Sequence, residues 1–285
     1  AVGFAVIDWE RGRSVHIDVP RGAKVSSPSW SPDGTRLAFF VHGDDATHIH
    51  VADVATGRSR QVTSSPVLAT LVTSIEWTAD GRIVTVLVPE GRGEEPRAPA
   101  VPQEPMVRLT SEGENKLRTY ASLLKTPHDI ALLEHFTTGQ LAVIDPDSRR
   151  VQTVGAPAMI REVSPAPDGR YFLVTTIRKP YSYIVPVNNF GTVQEIWDAS
   201  GAALATVDER PLNEGIRGGA RNDDDRRRAI AWRPDGNGLG FLQREPAPSQ
   251  DTADADANDA EETEADNARR SRKDRVMQWL PPFDS

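Results

Sequence analysis

Short apolar runs recur along the chain, and the same kind of polar turn precedes four of them. In residues 30–40, WSPDGTRLAFF, an aromatic residue is followed by a Ser-Pro-Asp-Gly turn and then by an apolar run. Pro32 presets its own φ, Asp33 can bond its own backbone, and Gly34 accepts the positive φ of a tight reversal. The pattern therefore predicts a strand on each side of the turn, the second beginning at Leu37.

This turn belongs to an internal repeat. Asp-Gly pairs precede apolar, partly β-branched runs at four positions, Asp33, Asp80, Asp168 and Asp235. A second hairpin signal begins at Val6, Val51, Val143 and Ile196. In each case an apolar run is followed by an Asp, a short polar turn and another run. Two alternating hairpins make a four-stranded unit, and the shortest repeat step matches the roughly 40 to 50 residues of a propeller blade.

The predicted fold is all-β, a β-propeller with a short helical insertion. We expect about seven or eight blades in the parent protein, and only part of the ring in this chain, because much of the sequence after the last Asp-Gly turn is too polar to build a blade. The predicted units are a half blade over 1–22, blades over 26–63, 74–155 and 161–207, and a partial blade over 228–285. We expect no α/β-hydrolase domain within these residues, because the sequence contains no G-x-S-x-G nucleophile motif.

Two insertions interrupt the repeat, and the longer one, at about 90–137, carries helix signals. Ser111 and Glu114 form a potential capping box, and Thr126-Pro127-His128-Asp129 supplies an N-cap, a proline at the first helical position and an acid in the first turn. Two short helices are predicted, with apolar faces made by Leu123, Leu124, Ile130, Leu132 and Leu133. We expect these faces to pack on the propeller or on another domain. The alternative is that the insertion forms a local lid, which covers only the blade that contains it.

Composition excludes several classes of protein. The net charge of −8 and pI near 5.3 lack the basic footprint of a nucleic-acid binder. No apolar stretch approaches the roughly 18 residues of a membrane span, so we predict no membrane partner. The chain has no Cys, which excludes a disulfide framework and a thiol nucleophile but does not choose a compartment. Localisation stays unknown.

The sequence offers only weak evidence for a metal site. His48 and His50 share a face of a predicted strand, as two metal ligands would need, but a third ligand is not evident and we favour exposed strand histidines. An EF-hand loop starting at Asp254 fails, because Asp259 stands where Gly is needed and Ala265 where Glu is needed. The acidic stretch 246–273 is predicted to be a disordered loop, and we predict no metal and no cofactor.

The longer insertion, the later stretch IRKPYSYIVPVNNFGTVQEIWD and the Asp-Gly repeats together resemble the amino-terminal propeller of the glutamyl endopeptidase branch of the prolyl oligopeptidase clan. The resemblance runs from the first hairpin to about Phe241. In that family the propeller lies over an α/β-hydrolase domain with a catalytic Ser, His and Asp, and it restricts which substrates reach the serine. The resemblance implies a non-catalytic propeller portion of a serine endopeptidase, with a peptide substrate and the hydrolase domain of the same protein as partners. Self-association into a homo-oligomer stays open.

No catalytic residue is assigned to this chain, because the G-x-S-x-G motif of the hydrolase nucleophile is absent from its sequence. Whether the chain counts as an enzyme therefore depends on the parent protein. The alternative function is a protein-binding propeller scaffold that does no chemistry.

The candidate substrate-binding residues are Arg178, Lys179, Tyr181 and Tyr183, in the stretch TTIRKPYSYIVP. A peptidase that selects glutamate must neutralise the substrate carboxylate, and Arg does this best through two charge-assisted hydrogen bonds. The alternative is that Arg178 pairs with a local acid and the two tyrosines pack on the blade.

Overall fold

The structure is a computed structural model, and it describes residues 3–71, 74–99, 120, 123–214, 226–246 and 272–283. The chain divides into two compact units, unit 1 over Ala1–Ile216 and unit 2 over Arg217–Ser285. Seventeen strands and one α-helix lie in the described part of the chain.

Unit 1 begins with a two-stranded hairpin and continues with three four-stranded antiparallel sheets. The hairpin consists of β1 (Ala5–Asp8) and β2 (Arg13–His16). The first sheet contains β3 (Lys24–Trp30), β4 (Arg36–His42), β5 (Thr47–Asp53) and β6 (Ser59–Gln61). The second contains β7 (Glu76–Trp77), β8 (Ile83–Leu87), β9 (Gly139–Ile144) and β10 (Val151–Ala158). The third contains β11 (Ile160–Pro165), β12 (Tyr171–Arg178), β13 (Gly191–Asp198) and β14 (Ala203–Arg210).

Each of the three sheets has its strands in chain order, so that every strand pairs with its neighbours in sequence. The first strands of successive sheets lie side by side, β3 beside β7 and β7 beside β11, as the blades of a propeller do. The all-β prediction and the β-propeller fold class are therefore confirmed. The predicted boundaries of the individual blades stay a prediction.

Unit 2 contains one three-stranded antiparallel sheet made of β15 (Arg228–Trp232), β16 (Leu239–Arg244) and β17 (Asp274–Trp279). The fourth Asp-Gly turn joins β15 to β16, in agreement with the repeat. Nearly all of the stretch 246–273, predicted to be a disordered loop, lies outside the described residues.

In the first two Asp-Gly turns, a hydroxyl group two residues before the Asp holds its carboxylate. The Ser31 hydroxyl donates to Asp33 Oδ1 at 2.6 Å and also accepts from the backbone N–H of Arg36 at 2.9 Å. The hydrogen bond from Ser31, with further bonds from Thr35, lowers the pKa of Asp33 to about 2. The second turn repeats the arrangement with Thr78 and Asp80, so the carboxylate of the motif is a structural acceptor.

The core of unit 1 consists of apolar layers between neighbouring sheets. One layer joins the second and third sheets through buried side chains that include Val84, Leu141, Phe172 and Trp197. Another joins the first and second sheets through side chains that include Phe40, Ile49, Ile83 and Ile144. A third lies between the opening hairpin and the first sheet. Burial between sheets, at about 25 cal/mol per Å² of apolar area, is thus the main force that holds unit 1 together.

The α-helix α1 spans Pro127–Thr137 and lies in the connection between β8 and β9. Thr126 caps it: its side chain accepts from the backbone N–H of Asp129, whose carboxylate accepts from the backbone N–H of Thr126 at 2.9 Å. This confirms the predicted start of the second helix. The other predicted helix start, at Ser111 and Glu114, lies outside the described residues.

Candidate functional site

The middle connections of the three sheets of unit 1 lie at one end of these sheets. In a four-stranded antiparallel sheet whose strands follow chain order, the first and third turns lie at one end and the middle connection at the other. The middle connections are residues 43–46, 88–138 and 179–190, and we call the end that carries them the connection end. The Asp-Gly turns and the second hairpin turns lie at the opposite end.

Arg178 is the last residue of β12 and therefore lies at the connection end. Its Nη2 atom is 3.4 Å from Oε2 of Glu195 on the neighbouring strand β13, and the same oxygen accepts from Trp197 Nε1 at 3.2 Å. The Arg178 side chain is 53% exposed, whereas that of Glu195 is 15% exposed. This single long contact leaves more than half of the side chain accessible to solvent.

Lys179 and Tyr181 both contact Glu134 of α1. The Lys179 ammonium is 2.6 Å from Glu134 Oε1, and the Tyr181 hydroxyl donates to the same oxygen at 3.1 Å. Burial, and then the negative charge of Glu134, raise the pKa of Tyr181 to about 12. The phenol therefore stays protonated and continues to donate throughout the physiological pH range.

The Tyr181 ring also belongs to an apolar cluster that holds α1 on the third sheet. It stacks on Phe190 with 5.5 Å between ring centroids. The cluster includes Ile177 of this sheet and Met159 of the connection that precedes it. Leu124 and Leu133 pack against these residues. The prediction that the apolar side chains of the insertion pack on the propeller is thus met by Leu124 and Leu133.

Tyr183 lies in the same connection as Tyr181 and is partly buried. Between the two tyrosines, the buried Ser182 hydroxyl donates to Glu214 Oε1 at 2.6 Å and accepts from the backbone N–H of Ile184 at 3.1 Å. These two bonds fix the backbone from which Tyr183 projects, and Ile184 beside it is 41% exposed.

The structure thus brings Arg178, Lys179, Tyr181 and Tyr183 to one edge of unit 1, where two of the four also anchor α1. No sequence pattern indicated their partners Glu134 and Glu195. Acids are common in this chain, and neither lies in a motif that distinguishes it from its neighbours. The separation in sequence between Glu134 and Lys179 gives no local signal for the pairing.

His48 and His50 lie on the same face of β5, but the expectation of exposed histidines is wrong, because His50 is buried between its neighbours and His48 is partly buried. Both line a cleft of about 370 Å³ at the connection end, but Nδ1 of the buried His50 has no hydrogen-bond partner among the described residues. Within the same residues, no group of three or more His, Asp or Glu side chains is placed to hold a metal ion. None of the helices in the described residues has the length and apolar character needed to cross a membrane.

Comparison with known proteins gives matches to peptidases. Over 226 residues, 76% of this chain, the sequence is 32% identical to the "Probable glutamyl endopeptidase, chloroplastic" of Oryza sativa subsp. japonica, of which the match covers 24%. The protein of the same name from Arabidopsis thaliana is also 32% identical over 226 residues, which are 23% of its length. The chain is a homologue of the glutamyl endopeptidases. No family model matches it.

This glutamyl endopeptidase homologue spans about a quarter of the length of the relatives it matches. Among solved structures, TolB from Acinetobacter baumannii resembles it with a TM-score of 0.43 and 14% sequence identity, over 86% of this chain and 44% of that chain. The resemblance noted in the sequence is confirmed by the two plant relatives.

Proposed function

We propose that this chain is the propeller portion of a serine-type endopeptidase and that it restricts which peptides reach an α/β-hydrolase domain of the same protein. The homology to glutamyl endopeptidases carries this proposal. The absence of a G-x-S-x-G motif from the sequence agrees with a part that selects substrates and leaves bond cleavage to the hydrolase domain. The substrate class is a peptide, cleaved after glutamate.

The connection end of unit 1 is the proposed peptide-facing surface. It presents the half-exposed guanidinium of Arg178 beside Lys179, Tyr181 and Tyr183, which combines positive charge with aromatic faces. Cations favour an acidic peptide side chain, and tyrosine rings supply rigid contact area with little loss of conformational entropy. The opposite end carries tight turns whose carboxylates are held by local hydrogen bonds.

The experiment compares two arginines at opposite ends of β12 in the full-length parent peptidase. Arg178→Gln removes the cation at the connection end, whereas Arg170→Gln removes one at the Asp-Gly turn, where Arg170 pairs with Asp168. The readout is the ratio of kcat/KM for matched peptides with Glu or Gln before the scissile bond.

We expect Arg178→Gln to lower this ratio by about tenfold or more, because a hydrogen bond to a charged group contributes about 1.5–3 kcal/mol. Arg170→Gln is expected to leave the ratio unchanged. An equal effect of the two variants, or no effect of either, would contradict the assignment of Arg178. Failure of the parent to cleave any peptide would contradict the proposed function as a whole.

A further inference from the structure

A second cleft at the connection end lies between the first and second middle connections. It has a volume of about 290 Å³. Its lining includes the apolar side chains of Val67, Leu68, Val88 and Phe136, together with the guanidinium-bearing side chain of Arg92. The cleft therefore combines apolar walls with one cationic side chain, and polar and acidic residues complete its lining.

Arg92 differs from Arg178 and Lys179 in its partners. Its Nη2 atom donates to the backbone carbonyl of Thr138, the C-cap residue of α1, at 2.9 Å. Within the described residues, Arg92 makes no ion pair, whereas Arg178 and Lys179 each contact a glutamate. Arg92 is partly buried, and this burial lowers the pKa of its guanidinium.

A partly buried cation without an anion is energetically unfavourable, because it has lost part of its hydration and gained little in exchange. Guanidinium carries five N–H donors in a planar fork that matches a carboxylate. Among the described residues, one side-chain nitrogen of Arg92 is engaged, by Thr138. A carboxylate that enters the cleft would replace the hydration that the guanidinium lost on burial. The apolar walls suit the methylene groups of the acidic side chain.

We propose that Arg92 binds the carboxylate of an acidic side chain of the peptide in this cleft. The proposal rests on the proposed function, since it names the residue that recognises the acidic substrate. It adds a second carboxylate-binding position to the one suggested for Arg178.

Two acidic residues oppose this binding. Asp44 and Asp45, in the turn between β4 and β5, are exposed and also line the cleft. Their charges lower the affinity for an anion at the rim. Asp45→Asn should therefore strengthen the binding of an acidic peptide, and this gain of function cannot result from misfolding.

The first test is a binding measurement on this chain by NMR. The probes are the blocked peptides acetyl-Ala-Ala-Glu-Ala-Ala-amide and its Gln counterpart, and the signal is the side-chain Nε–H resonance of Arg92. We expect the Glu peptide to shift this resonance and to bind at least fivefold more tightly than the Gln peptide. No shift at millimolar peptide, or equal binding of the two peptides, would overturn the proposal.

Variants provide the matched comparison. Arg92→Gln is expected to abolish the preference for Glu and Arg92→Lys to keep part of it. The control is Arg97→Gln, because Arg97 lies in the same connection but is 87% exposed and already paired with Glu94 at 3.0 Å. A preference for Glu that survives Arg92→Gln in a variant with a native circular dichroism spectrum would also overturn the proposal.

The second test uses the full-length parent peptidase and separates this proposal from the proposed function. If Arg92 binds a second acidic side chain of the substrate, Arg92→Gln lowers by at least tenfold the kcat/KM ratio of matched peptides with Glu or Gln at a position away from the scissile bond, while Arg97→Gln does not. If the parent cleaves Glu peptides and Arg92→Gln leaves the ratio unchanged, the result contradicts only the role of Arg92. A parent that cleaves no peptide contradicts the proposed function, and the NMR titration still decides whether Arg92 binds a carboxylate.

Discussion

Gly201 lies in the turn between β13 and β14, where the second and third sheets of unit 1 approach each other through backbone atoms. A Cβ atom at this position would lie 2.1 Å from both Cα and N of Gly155 in β10. Contacts this short with backbone cannot be relieved by rotating a side chain. The Gly155 N–H also donates to the carbonyl of Ser200 at 3.1 Å, so a shift of the turn would break a hydrogen bond between the sheets.

Gly201→Ala should therefore destabilise unit 1 in two ways. The residue has φ +87°, and a left-handed conformation costs an L-residue roughly 1–2 kcal/mol. Overpacking adds about 1–3 kcal/mol. Gly34→Ala is the matched control, because Gly34 has φ +69° but no atom within 4 Å of the added Cβ. Only the overpacking differs between the two variants.

Thermal unfolding followed by far-ultraviolet circular dichroism measures the difference. At roughly 2–4 °C per kcal/mol for a unit of this size, Gly201→Ala should unfold about 2–12 °C below Gly34→Ala. Fluorescence is less suitable, because Trp197 lies beside Gly155 and would respond to the local change. Melting temperatures that agree within about 1 °C would refute the close approach of the two sheets at this turn.

Three further changes test other parts of the structure. Thr126→Ala removes the N-cap of α1 and should cost about 1 kcal/mol, measured as faster amide hydrogen exchange in this helix. Asp147→Asn removes the contacts of this carboxylate with Arg36 and Arg60 of the neighbouring sheet, each at 3.0 Å; because the carboxylate is exposed, the loss should stay below about 1 kcal/mol and vanish in high salt. Burial lowers the pKa of His50 from its usual 6.5. The unfolded state therefore binds more protons than the folded state, and stability falls as pH drops below 6.5. His50→Asn should reduce the fall in melting temperature between about pH 7.5 and about pH 5.5.

The fold was predictable because its signals are local. Each Asp-Gly turn contains the residues that its own geometry requires, and each hairpin carries its small polar turn between two apolar runs. The start of α1 was predictable for the same reason, since Thr126, Pro127 and Asp129 act within one helical turn. Such signals need no knowledge of the tertiary structure.

The contacts of the candidate site were not predictable, because they join residues distant in sequence. Glu134 meets Lys179 and Tyr181 only after α1 has packed on the third sheet. Arg92 lies in no distinguishing motif, and its proposed role rests on its partial burial beside the carbonyl of Thr138. The sequence pattern therefore predicted a candidate site at the edge of the sheet that carries Arg178, whereas no pattern indicated the cleft beside Arg92.

The central claim is that peptides approach the hydrolase domain across the connection end of unit 1. It can be tested by blocking either end of this unit with a bulky maleimide in the parent peptidase, after its other reactive cysteines have been removed. This chain itself has no Cys, so Ile184→Cys at the connection end and Ala79→Cys at an Asp-Gly turn give single attachment points on exposed residues. The account predicts that the label at position 184 lowers kcat/KM for a Glu peptide by at least tenfold and that the label at position 79 does not. Equal activity of the two labelled enzymes, or a loss confined to position 79, would contradict it.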